Sequence, residues 1–116
     1  MMVYLASPYS NPDPGVMHLN FIKIAILAAD LNSKGIVAIS PIVYGHTLLS
    51  FHEMPSDWEF WKNFCISILV KCEKMIVYKM DGWDKSRGVQ EEIKIAEELS
   101  IPIEYLEYSE NANSLN

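Results

Sequence analysis

The run Lys74-Met75-Ile76-Val77-Tyr78-Lys79 most narrows what this chain can fold into. It is short and apolar without alternation, the pattern of a parallel strand buried on both faces rather than one with a solvated side. The loop Gly82-Trp83-Asp84-Lys85 follows, and a helix is predicted from Ser86 to about residue 99. Ser86 is a good N-cap. The first backbone N–H groups behind it lack intrahelical partners and can hold an anion such as a phosphate, which Gly88 lets approach closely.

At about 100° per residue, Val89, Ile93, Ala96 and Leu99 form one apolar stripe. Glu92 falls inside that stripe, while Glu91, Lys94 and Glu98 fall outside it. A carboxylate turned toward a core is costly unless it is paired or has work to do. A working Glu92 is therefore favoured over a structural acid bonded to neighbouring backbone.

The rest of the chain alternates in the same way. Residues 1–6 read as a strand, and Ser7-Pro8-Tyr9-Ser10-Asn11-Pro12-Asp13-Pro14-Gly15 as a polar loop. Phe21, Ile24, Ala25, Ala28 and Leu31 recur at helical spacing over residues 16–34, and Gly35 supplies the stop. Residues 36–40 form a second strand closed by Pro41. Residues 42–55, with Gly45, His46 and His52 among apolar neighbours, are read as a loop holding one helical turn.

Ser56-Asp57-Trp58-Glu59 has the form of a capping box and starts a helix running to about residue 71. That helix carries Trp58, Phe60, Trp61, Phe64, Ile66, Ile68, Leu69 and Val70, more apolar surface than one packing face uses. The excess predicts a homo-oligomer, a dimer or larger, assembled through helix 57–71. Residues 101–106 form the last strand, and residues 107–116 read as a loose polar tail.

The order β-α-β-α-β-α-β with right-handed crossovers predicts an α/β fold: a single-domain, doubly wound, Rossmann-like or flavodoxin-like parallel sheet over residues 1–106. The expected strand order is 2-1-3-4, with helices on both faces. Ligands in such sheets bind beyond the strand C-termini at the switch point, here between the first and third strands. The loops 7–14 and 80–88 meet there, bringing Tyr4, Ser7, Tyr9 and Ser10 toward Asp81, Ser86 and Glu92.

With 116 residues, half of them apolar, the chain is long enough for one core. A net charge of −6 and a pI near 4.9 argue against general nucleic-acid binding or anionic-membrane binding, so any phosphate must be held locally. Cys65 and Cys72 lie seven apart in a predicted helix, cannot bridge each other, and are expected as reduced thiols of a cytoplasmic protein. The longest apolar run, around Ile24 to Ala29, is far short of the roughly 20 residues of a span, so a soluble protein without a membrane segment is expected. His18, His46, His52 and Glu53 have no recognisable ligand spacing, and neither metal nor cofactor is expected.

Three motifs carry a family resemblance: Tyr4-Leu5-Ala6-Ser7-Pro8-Tyr9-Ser10, Pro41-Ile42-Val43-Tyr44-Gly45-His46, and Gly82-Trp83-Asp84-x-Ser86-x-Gly88-Val89-x-x-Glu92. Over roughly residues 2–106 the chain resembles the nucleoside 2-deoxyribosyltransferase superfamily, in particular a small bacterial and phage branch. That branch is related to the 2′-deoxynucleoside 5′-phosphate N-hydrolases and the CMP hydrolases. The resemblance implies that Glu92 attacks C1′ of the sugar and displaces the base, giving a glycosyl-enzyme ester that water hydrolyses. It further implies that Tyr4 orients Glu92 and that Ser86 binds a 5′-phosphate, with Ser7, Tyr9, Ser10, Gly82 and Gly88 around the ligand.

The Pro-Ile-x-Tyr-Gly-His signature suggests His46 for the base pocket, against a structural hydrogen-bonding role, and Trp83 either stacks on the ligand or caps the pocket. The resemblance also has a gap. Relatives carry an Asp on the preceding helix where this chain has Cys65, and a thiol cannot replace it. Asp81 is the catalytic substitute of choice, against a solvated turn aspartate; Asp84 and Asp57 are the other acids at hand. The implied function is an N-glycosidase acting on a nucleoside 5′-monophosphate. Base exchange by a deoxyribosyltransferase and a non-catalytic nucleotide-binding or regulatory module are the alternatives.

Overall fold

The computed structural model describes residues 1–110. Its elements are β1 (Met2–Ala6), α1 (Pro14–Ser33), β2 (Val37–Ile39), α2 (Pro41–Leu49), α3 (Trp58–Leu69), β3 (Lys74–Lys79), α4 (Arg87–Glu98) and β4 (Ile103–Glu107). A 3₁₀ turn, Trp83–Lys85, precedes α4. The four strands form one parallel sheet in the order β2-β1-β3-β4. This is the doubly wound α/β arrangement expected from the alternation of strands and helices.

Strand periodicity divides the core in two. Tyr4, Ala6, Met75 and Val77 face Cys65, Leu69, Val89, Ile93 and Ala96 of α3 and α4. Val3, Leu5, Ile76 and Tyr78 face Ile24 and Leu27 of α1 on the other side. Both faces of β1 and β3 are covered, which is why their sequences are continuously apolar.

Four expectations change. First, residues 41–49 are a full helix: Ser40 is the N-cap, its Oγ accepts from Val43 N at 3.2 Å, and Pro41 sits in the first turn. Ser followed by Pro is itself a helix-start signal. Gly45, which argued for a loop, is buried against Trp61, where a Cβ would lie 3.5 Å from the indole ring. Second, the capping box does not form. The N-cap of α3 is Asp57, without a side-chain cap bond, and Glu59 pairs instead with Lys62 and Arg87. Ser56 ties two loops together, its carbonyl accepting from Ser10 Oγ at 2.9 Å.

Third, α1 starts at Pro14, capped by Asp13, whose Oδ1 accepts from Gly15 N at 2.8 Å. At 20 residues it is, by length and composition alone, apolar enough to cross a membrane, although no contiguous apolar run in the sequence reaches that length. In this fold its Ile24 and Leu27 are buried under the sheet. Fourth, the two ends of the last β-α-β unit shift. Leu99 leaves the stripe of α4 and is half exposed, because the left-handed Ser100, at φ 57°, turns the chain toward β4. Glu107, expected in the tail, belongs to β4, and Tyr108 packs on the ring of Tyr78 at 5.3 Å. The remainder of the expected tail, 111–116, lies outside the described residues.

Candidate functional site

Beyond the C-terminal ends of β1 and β3 lies a cleft of about 760 Å³, walled by the loop after β1, the starts of α2, α3 and α4, and the loop after β3. Its size suits a small-molecule ligand. Glu92, in the second turn of α4, is at its floor, 7% exposed, and accepts a hydrogen bond from the hydroxyl of the fully buried Tyr4. Cys65 of α3 closes the same floor against both.

Burial sets the chemistry of this floor. Desolvation raises the Glu92 carboxyl to about 8 against the lowering effect of the Tyr4 hydrogen bond. The Tyr4 phenol is raised by burial first and by the Glu92 carboxylate second. Burial, then Glu92, pushes the Cys65 thiol to about 12, against a lowering hydrogen bond from Tyr4. At neutral pH the phenol and thiol keep their protons, and Glu92 titrates just above that range.

Ser86 caps α4, its Oγ accepting from Val89 N at 3.3 Å, and it lines the cleft with Arg87 and Gly88. Gly82 takes φ 83°, a left-handed turn that carries the chain from β3 to α4. Gly88 is not required by its backbone, and a Cβ there would meet only the Trp58 ring, at 3.7 Å. Its bareness leaves the first turn of α4 open to the cleft. Ser7 Oγ is buried in the cleft wall and makes no hydrogen bond among the described residues, so a polar ligand atom there would satisfy it.

At the rim, the Tyr9 hydroxyl lies 2.7 Å from His46 Nδ1, and His46 Nε2 lies 3.2 Å from His18 Nδ1. Phe21 stacks on His46 at 4.2 Å between ring centroids. Burial and the neighbouring His18 both lower the His46 pKa, burial more. Ser10, Asp81 and Gly82 are exposed residues of the cleft wall.

Trp83 is the sequence-derived candidate that the fold turns elsewhere. It does not line the cleft but packs on the α3–α4 core and toward Tyr105, 5.8 Å between centroids, with Lys79 Nζ over its ring at 5.6 Å. The indole has a core position to fill beside β4, which a place over the ligand would leave empty.

Sequence reasoning missed several wall residues. Asn20 and Lys23 enter from α1, at two polar positions three apart among its apolar residues. Trp58 and Trp61 read from the sequence as packing residues of α3, and Lys85 and Arg87 occupy unspecified positions of the 82–92 motif. In the sequence His18 stands out only as a possible metal ligand. Its role as partner of His46 depends on α1 and α2 packing side by side.

No curated protein matches the chain. Residues 1–108 match a family model described as domain of unknown function (DUF1937), a span that ends at Tyr108, which packs on the sheet, and the chain belongs to that family.

Proposed function

We propose that the protein is an N-glycosidase that cleaves the base from a nucleoside 5′-monophosphate. The observation that carries this reading is Glu92, a buried carboxyl at the floor of an open cleft, hydrogen-bonded to Tyr4 and a turn and a half from the N-terminus of α4. A phosphate at the N-terminus of α4, over the bare Gly88 and beside Ser86, would set the sugar between that anchor and the carboxylate. The ionised Glu92 attacks C1′, the base departs, and water resolves the ester. Tyr4 stabilises the ionised form through its hydrogen bond and limits the number of orientations the carboxylate can take.

Because Glu92 titrates near 8, the free enzyme gains its nucleophile as pH rises, and kcat/KM should increase through about pH 8. The deciding experiment incubates the protein with a panel of ribo- and deoxyribonucleoside 5′-monophosphates and assays free base. Release that disappears in Glu92→Ala supports the proposal. Absence of base from every nucleotide, with Glu92→Ala binding nucleotides as the wild type does, rejects it.

Cys65 favours a second reading, a nucleotide-binding module without turnover, since its neutral thiol contributes no carboxylate to the floor. Calorimetric binding of nucleotides with no product over long incubation would select that reading.

A further inference from the structure

A nucleobase leaves C1′ as an anion unless a proton reaches one of its ring nitrogens, and a positioned acid contributes about 10²–10⁴-fold to such a step. The floor of the cleft is poorly supplied with such a donor. Glu92 is committed to the sugar, Tyr4 is bound to Glu92, and the Cys65 thiol is buried against both. Asp57 and Asp81 stand exposed on the wall.

The rim offers a connected set. Tyr9 and His46 line the cleft, and His18 is exposed on α1. Their two contacts, 2.7 Å and 3.2 Å, make a hydrogen-bonded line from the cleft wall to solvent. Packing fixes this line. Phe21 stacks on the His46 ring with 20° between planes, Tyr9 meets the same ring edge-on, and Asn20 Nδ2 donates to the Tyr9 carbonyl at 3.2 Å. A neutral imidazole has one N–H and one lone pair, so each ring can accept a proton on one nitrogen and release one from the other. A hydroxyl can do the same. A histidine needed only for packing would not require a partner on each nitrogen, one toward the cleft and one toward water.

We propose that Tyr9 protonates the departing base and that His46 and His18 are positioning residues that restore its proton from solvent. This inference rests on the N-glycosidase reading. As a Glu92 oxygen bonds to C1′, the C1′–N electron pair passes to the base, which takes the Tyr9 hydroxyl proton. The Tyr9 oxygen takes the Nδ1 proton of His46, His46 Nε2 takes the Nδ1 proton of His18, and His18 Nε2 takes one from solvent. Hydrolysis of the Glu92 ester by water then returns one proton to solvent, so the cycle consumes none.

The test compares two leaving groups on the full chain: a nucleoside 5′-monophosphate, and a 4-nitrophenyl glycoside 5-phosphate of the same sugar, whose phenolate departs without a proton. Tyr9→Phe is expected to lower kcat on the nucleotide about 10²–10³-fold while leaving the aryl substrate within about threefold. His46→Gln and His18→Gln should show the same split with smaller losses. Equal losses on both substrates, or no loss on the nucleotide, overturn the relay and leave Glu92's role standing. If the wild type turns over neither substrate, the N-glycosidase reading fails and takes the relay with it. Should Tyr9→Phe not fold by circular dichroism, His46→Gln and His18→Gln give the same split.

Discussion

At the floor of the cleft Glu92 of α4 is buried against β1 with Tyr4 as its hydrogen-bond partner, whereas at the rim His46 has both ring nitrogens bonded and is partly exposed to solvent. Desolvation drives the acid and the base alike toward their neutral forms, up for Glu92 and down for His46. The consequences differ with depth. A carboxyl that ionises near 8 in the folded protein and near 4.5 when unfolded favours folding most below 4.5, and that contribution is lost as pH rises toward 8. The floor therefore holds reactivity at the expense of stability, while the rim holds its groups at little such cost.

The largest effect should come from Glu92→Gln. Activity should fall by about 10³-fold or more, as expected for loss of a nucleophile. The variant should also lose part of the pH dependence of stability. Relative to wild type it should gain on the order of 1.4 kcal/mol for each pH unit between about 4.5 and 8, read from urea melts across that window. A parallel pH profile in the two proteins would erase the distinction between floor and rim.

Tyr4→Phe removes one charge-assisted hydrogen bond and keeps the ring that fills the core. A loss of roughly 10–100-fold in kcat/KM is expected, with the rising limb of the pH–rate profile moved above its wild-type position, because the bond removed is the one that lowers the Glu92 pKa. An unmoved limb would mean that Tyr4 serves only as packing.

Ser86→Ala should cost about 1 kcal/mol in thermal or urea unfolding through loss of the α4 cap. It should also raise KM for a nucleoside monophosphate more than for the corresponding nucleoside. Equal KM changes would separate the cap from the phosphate.

The smallest effect should come from His18→Gln, an exposed change expected to alter stability by less than about 0.5 kcal/mol. It should nevertheless raise the His46 pKa, followed by NMR titration, since His18 is the second cause of its lowering. A stability loss comparable to that of Ser86→Ala would show that the rim is structural after all.

The legible parts of this protein are those where one local pattern admits one structure. Val89, Ile93 and Ala96 form a buried stripe, Glu92 lies within it, and Ser86 caps the helix, all as periodicity and capping chemistry require. Where two local rules competed, reading failed. Ser40-Pro41 signals a helix start and Gly45 a break, and the helix forms with Ser40 as its cap and Gly45 buried against Trp61. Ser56 and Glu59 match a capping box, yet Ser56 accepts from Ser10 across the cleft and Glu59 reaches Arg87 from α4. Both partners lie far along the chain, so no window around residue 56 contains them.

From residues alone come the strand and helix alternation, the parallel sheet in order 2-1-3-4, and the inward turn of Glu92, because apolar periodicity and crossover handedness act locally and repeat along the chain. Tertiary structure decided which groups meet. Tyr4 reaches Glu92 across 88 positions and Tyr9 reaches His46 across 37, while Trp83 leaves the cleft for Tyr105. Such pairings depend on how helices seat on a twisted sheet, and the burial that shifts Glu92, Cys65 and His46 exists only once those layers have closed.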